Sequence, residues 1–303
     1  MKHNPPKVHH YIPQHFLKEW TSSPGKIYRY RRIGPQKCLE VKEVAIRKTA
    51  FEDNLYKVEF HDGSYEYESC LVTPLIDESG HKMLNKVRGE SVFNLSPEQL
   101  TSFVRYLTCL EARNPEVIKD MTQGICFEEL WRDFHRRLGE KKSVDEVVDY
   151  FESSPEIGAF AFSMFIQQEY SGIMNPFHIG FLNANTVERS LSFDGLLTSS
   201  YPTMRDGDYH NSFSFVVAIS KCKALIFGKN LDISIFNELS DSGLQKVVNL
   251  FTLKKADVAY FCDDSMAGFV KQHLSWGSTC SSEAEMKEYV YKFVKREIEP
   301  ESA

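Results

Sequence analysis

Two hydrophobic periods run through this sequence, and they are kept apart. Leu100, Phe103, Val104, Leu107 and Leu110 recur at helical spacing, whereas Phe213, Phe215, Val217 and Ile219 fall on every second residue. Helices and strands that are segregated rather than interleaved pack as an α+β fold, not as a doubly wound α/β sheet. The helix signals lie in the middle. Ser96-Pro97-Glu98-Gln99 combines an N-cap, a proline suited to the first helical position and a capping-box glutamine. A second capping box stands at Ser143-Val144-Asp145-Glu146, and Ser154-Pro155 opens a further helix that is apolar nearly all round from 157 to 166. After Asn175-Pro176 the pattern predicts strands over 178–182, 190–197, 212–220, 224–228 and 258–262, with helices over 244–253 and 283–297.

The first sixty residues are mixed. Pro13 fixes its own φ and predicts a short helix over 14–20, with Phe16, Leu17 and Trp20 on its buried face. Residues 26–32 alternate as a half-buried strand, Gly34-Pro35 marks a turn, and residues 39–46 can pair back. From about residue 67 the chain turns helical. The whole reads as one α+β domain over 1–303. Its central region is helical, and a mainly antiparallel β-sheet is concentrated in the C-terminal half. A division into a mixed or helical part, 1–153, and a sheet-containing part, 154–303, is the alternative.

Composition narrows the class. The 303 residues are 42% hydrophobic, enough for a large core, and no apolar run approaches the roughly 20 residues of a membrane helix. Seven scattered cysteines without a Cys-x-x-Cys pair fit reduced thiols rather than a disulfide scaffold or structural zinc. With the absence of an apolar signal core at the start, this predicts a cytoplasmic protein with no membrane partner. A net charge of -6 gives no global attraction to nucleic acid, although Lys26 to Arg32 and Arg132 to Lys142 could form local basic faces.

The chemistry-bearing residues are few. His9 and His10 are neighbours in an extended segment, so their side chains point to opposite faces and only one can enter a given site directly. Glu111 falls within the apolar stripe of the helix from Ser96, where a carboxylate is costly unless a cation, donors or a metal meets it. Arg113 is too far round the helix to pair with it by ordinary spacing, though the Asn114-Pro115 break could redirect it. A buried brace and a catalytic acid or metal ligand both fit this stretch. Ser199 and Ser200 lie in a tight turn ending at Pro202, where hydroxyls either bind an anion or satisfy turn amides. Asp206, Asp208 and His210 alternate as potential ligands or as a polar hairpin tip. Serine-elbow, phosphate-loop, dinucleotide and His-Glu-x-x-His motifs are absent.

The run His9-His10-Tyr11-Ile12-Pro13-Gln14-His15-Phe16-Leu17-Lys18-Glu19-Trp20 resembles the opening signature of a bacterial family, domain of unknown function 4238. Asn54-Leu55-Tyr56 resembles that family's Asn-Phe-Tyr, and Leu110-Glu111-Ala112-Arg113-Asn114-Pro115 its Gln-x-x-Arg-Thr-Pro. Leu197-Thr198-Ser199-Ser200-Tyr201-Pro202 stands where the family has Thr-Ser-Asp-Asn-Pro, with Ser200 and Tyr201 in place of Asp-Asn. The resemblance implies kinship of fold and gathers the candidates into one set. His9, His10, Glu111 and Arg113 are the expected catalytic residues, and Gln14, Tyr56, Ser199 and Ser200 the expected binding residues. The expected function is a nuclease-like hydrolase, with nucleic acid as partner and a divalent metal as a possible cofactor. The alternative is a non-catalytic ligand-binding or regulatory protein in a defence or toxin setting, the same polar cluster serving as a brace.

Overall fold

The structure is a computed structural model, and it describes residues 8–53, 55, 57–60, 63–66, 73, 76–118, 183–207 and 211–298. The expected helices from Ser143 and Ser154 and the strand over 178–182 lie outside the described residues.

In chain order the N-terminal part contains β1 (Val8–His10), α1 (Gln14–Leu17), β2 (Lys26–Ile33), β3 (Cys38–Ala45), β4 (Phe51–Asp53), β5 (Lys57–Phe60), β6 (Gly63–Glu66), α2 (Glu78–Gly89) and α3 (Pro97–Ala112). The C-terminal part contains β7 (Asn185–Ser190), β8 (Thr198–Ser199), β9 (Thr203–Gly207), β10 (Phe213–Ala218), β11 (Lys223–Lys229), α4 (Ile235–Glu238), α5 (Asp241–Leu253), β12 (Val258–Phe261), α6 (Ala267–His273) and α7 (Glu283–Ile298). The fold is α+β. One four-stranded antiparallel sheet runs β7-β11-β10-β9, entirely in the C-terminal half. A second runs β3-β2-β12-β8, so strands from both sides of residue 153 share it.

The local signals explain most boundaries. Ser96 and Gln99 form the capping box of α3, with Pro97 in its first turn. The predicted hairpin of residues 26–32 and 39–46 is β2 paired with β3, Lys26 opposite Ala45 and Ile33 opposite Cys38. Gly207, at φ +90°, begins the link from β9 to β10, where a Cβ would lie 2.3 Å from the Ser212 carbonyl; only glycine suits that position. The alternation of β10 is deeper than its pattern suggests, because Val216 and Ala218 are buried along with Phe213, Phe215 and Val217. A central strand covered on both faces has this property; α5 packs against β10.

One strand is displaced from its expected place. The sequence suggests 190–197, yet the strand is Asn185–Ser190 and the next residues cross to β8 as a loop. That loop is held by its backbone: Leu191 N–H donates to Cys222 O, and the Gly195 and Leu196 N–H groups both donate to Lys221 O. Trp20 Nε1 donates to Leu196 O at 2.6 Å, fixing the N-terminal helix to it.

A buried ion pair joins sheet and helices. Lys223 Nζ lies 2.7 Å from Glu188 Oε1, with side-chain exposures of only 8% and 11%. The ammonium also donates to the carbonyls of Val87 and Glu90 at the end of α2. The other carboxylate oxygen accepts from Ser91 Oγ and Val92 N–H. Removing one member of such a pair strands the other, at about 3–5 kcal/mol, whereas apolar replacement of both is often neutral. We therefore expect Glu188→Ala to lower unfolding free energy by about that amount in urea titrations. The double variant Lys223→Met/Glu188→Leu should recover most of the loss; equal loss in both would assign the effect to packing rather than charge.

Candidate functional site

β1 pairs antiparallel with β4, placing His9 opposite Glu52 and His10 opposite Phe51. Alternation then divides the two histidines. His9 is fully buried, while His10 is half-buried with its ring 5.8 Å from that of Phe51. Burial pushes the His10 pKa down, against a hydrogen bond with the Arg47 backbone. Pro13, at φ -57° and ψ 137°, turns the chain into α1, whose first residue Gln14 is exposed. Between them Tyr11 anchors to the hairpin by its N–H to Ala50 O at 3.0 Å. Its hydroxyl meets that of Tyr260, which also bonds Thr49 Oγ1 at 2.9 Å. Burial, the Tyr260 hydroxyl, and the carboxylates of Glu52 and Asp257 all hold the Tyr11 phenol well above its ordinary pKa.

The end of α3 supplies the next group. Glu111 pairs with Arg205 of β9 at 2.9 Å, and Arg113, the C-cap, pairs with Asp77 at 3.0 Å. Two residues of helix separate these side chains by about 200°, so they reach different elements. Asn114 then bridges two segments: its Nδ2 donates to Ser200 O at 2.8 Å and its Oδ1 accepts the Glu116 N–H at 2.9 Å. The Tyr201 hydroxyl donates to the Glu116 carboxylate. Ser199 Oγ is committed to the carbonyls of Tyr201 and Thr252, and Ser200 Oγ accepts the N–H groups of Asp257 and Val258. Burial raises the Asp257 pKa, the nearby Glu116 charge raises it further, and Ser275 Oγ at 3.5 Å opposes this.

The N-terminal segment, the Arg113-Asn114-Pro115 stretch and the 198–202 turn therefore converge on one place. Its reactive groups are Tyr11, Glu116, Tyr201 and Asp257, with Glu116 and Asp257 both exposed. Two neighbouring carboxylates, one of them held above its ordinary pKa by burial, are suited to acid–base work. Among the described residues no group of three or more His, Cys, Asp or Glu has a metal-holding arrangement; two carboxylates with water suffice for a hard cation such as Mg²⁺.

Residues 8–243 match the family model described as protein of unknown function, DUF4238. The chain belongs to this family. No curated protein and no solved structure matches it. The segments that converge fall inside the DUF4238 match, except that Asp257 comes from beyond its end. Of the residues expected from sequence, Tyr56 and its neighbour Asn54 lie outside the described set, as do Asp208 and His210. The structure brings Ser200 and Asn114 together beside Arg113, and it directs Glu111 to Arg205 instead. Sequence reasoning passes over Tyr11, Glu116, Tyr201 and Asp257. A carboxylate one residue after the helix-breaking proline was the available signal for Glu116; no local pattern marks Asp257.

A second polar cluster stands behind α1 in this DUF4238 protein. The His15 ring lies 4.4 Å from that of His81, and its Nε2 bonds Tyr106 Oη at 2.8 Å. Gly80 makes room for the Tyr106 ring, which a Cβ there would approach to 2.3 Å. Burial pushes the His15 pKa down to about 3, helped by the charges of His81, Arg113, Arg88 and Lys18. Burial likewise pushes His81 down, helped by the Arg88 and Lys18 charges.

A depressed histidine pKa means the unfolded chain binds the extra proton. The stability from keeping His15 neutral is complete above its unfolded pKa near 6.5 and is lost as pH falls toward about 3. We expect acidification from pH 7 to pH 5 to cost wild type about 2 kcal/mol more than His15→Gln, measured by urea titration at each pH. Parallel pH profiles for the two proteins would rule this out.

Proposed function

We propose that this protein is a nuclease-like hydrolase of the bacterial cytoplasm, cleaving phosphodiesters with Glu116 and Asp257 as its acid–base pair. What carries the reading is the convergence of three separated motifs on two exposed carboxylates, one of them with a raised pKa. In this mechanism the Glu116 carboxylate, oriented by the Tyr201 hydroxyl, takes a proton from the attacking water. Asp257, whose pKa is raised by burial, gives one to the leaving oxygen. A divalent cation bound together with the phosphodiester would neutralise phosphate charge, which an acidic protein of net charge -6 otherwise repels. No described helix is long and apolar enough to cross a membrane.

A non-catalytic binding protein is the second reading, and a specific observation favours it. Arg113 is 2% exposed and meets Asp77, while the Ser199 and Ser200 hydroxyls are used by the backbone. These groups brace the fold around whatever the site holds.

The test is incubation with RNA, single-stranded DNA and duplex DNA at two salt concentrations, with and without Mg²⁺ or Mn²⁺. Metal-dependent cleavage is expected, falling by about 100-fold or more in Asp257→Asn and Glu116→Gln, with unchanged thermal melts. Binding that weakens with salt but yields no cleavage would support the second reading. Cleavage undiminished in both variants would reject the assigned pair.

A further inference from the structure

Beyond the carboxylate site, α5, α6 and α7 form an open cleft of about 430 Å³, its lining drawn from residues between Lys246 and Glu297. All of these residues follow position 243, where the family match ends. None belongs to the carboxylate site. The volume lies within the usual range of small-molecule sites, about 300–1,000 Å³.

The lining has two chemically distinct parts. One is aromatic. The His273 ring lies 4.5 Å from Phe269 and 5.7 Å from Phe293, and Tyr289 stacks on Trp276 at 4.6 Å. His273 is 5% exposed, and its Nδ1 bonds the Tyr289 hydroxyl at 3.1 Å, which fixes both rings. The other part is cationic. Lys246 is neutralised by Glu297 through both carboxylate oxygens, and Lys292 pairs with Glu288 on its own helix in an exposed contact. Arg296 enters no ion pair among the described residues, and the Gln272 side chain makes no hydrogen bond among them. With Lys246 paired to Glu297 and Lys292 to Glu288, Arg296 is the lining cation left without an ion pair among the described residues.

An exposed arginine beside packed aromatic rings selects for a ligand that carries both a negative charge and a ring. We propose that this cleft binds a small aromatic anion, its ring against Phe269 and Phe293 and its phosphate or carboxylate on Arg296 and Lys292. Arginine supplies planar, paired donors for such a group, and Gln272 can read a polar edge of the ring. A phosphate without a ring would lose the aromatic contacts. A nucleoside without the phosphate would lose the charge.

Calorimetric titration of the full chain with adenosine monophosphate, indole-3-acetate, adenosine and inorganic phosphate tests this. At least one of the two aromatic anions should bind with a Kd of about 1 mM or tighter. Adenosine and phosphate should bind about ten-fold more weakly, since each lacks one class of contact. Arg296→Ala should weaken the aromatic anion by a similar factor with its melting temperature unchanged, Arg296 being exposed. Glu116→Gln should leave this binding intact, which separates the cleft from the proposed hydrolase site. Absence of binding by both aromatic anions, phosphate binding as tightly as the monophosphate, or full binding by Arg296→Ala would each overturn the proposal.

Discussion

The contact on which the two halves of the described structure depend is the buried pair of Lys223 and Glu188. It joins neighbouring strands β11 and β7 and at the same time closes the end of α2. Helix carbonyls at a C-terminus carry partial negative charge and lack intrahelical donors, so an ammonium there is favourable on both counts. Glu188 repeats the logic for the next turn of chain by accepting from Ser91 and Val92. Arg88, from the last turn of α2, adds bonds to Ile219 O at 2.6 Å and Phe16 O at 3.1 Å. Sheet, central helix and N-terminal helix are thus tied at one end of α2.

From that anchor the position of the carboxylate site follows. α2 packs on α3, and α3 contacts β9, which sets where its last residues emerge. Glu111 and Arg113 then hold opposite sides of the exit through Arg205 and Asp77. Only after that clamp does Asn114 reach Ser200 and set Glu116 beside Tyr201 and Asp257. The acid pair thus rests on segments already joined by hydrogen bonds and ion pairs. Burial raises the Asp77 pKa, and the Arg113 charge pulls it only part of the way back.

What was legible in the sequence was local. The capping box at Ser96 and Gln99, the hairpin of β2 and β3, and the alternation in β10 all depend on neighbours a few residues away. Glu111 was correctly anomalous, a carboxylate in an apolar stripe, but its partner Arg205 is 94 residues distant and no pattern names it. Residues 190–197 carry a strand-like pattern but form a loop, because their backbone hydrogen bonds go to Lys221 and Cys222. Apolarity reports burial there and says nothing of which backbone partner wins. Asp257 was invisible for a related reason: its meaning comes from Ser200 and Glu116, brought up by other elements.

The placement of β12 has a consequence for how the molecule is made. This strand lies between β2 and β8, with Tyr28 opposite Phe261 and Ser199 opposite Ala259. During synthesis the β2–β3 hairpin emerges early and must wait for more than two hundred residues before the edge of β2 finds its partner. An unpaired edge held open for that interval is a template for wrong pairing between nascent chains. Non-local strand pairing of this kind also slows folding, because the loop must be closed before the contact repays it. A chain released at the end of the family match, residue 243, would never acquire β12 at all. The boundary recognised by family resemblance is therefore not a boundary at which this fold can be cut.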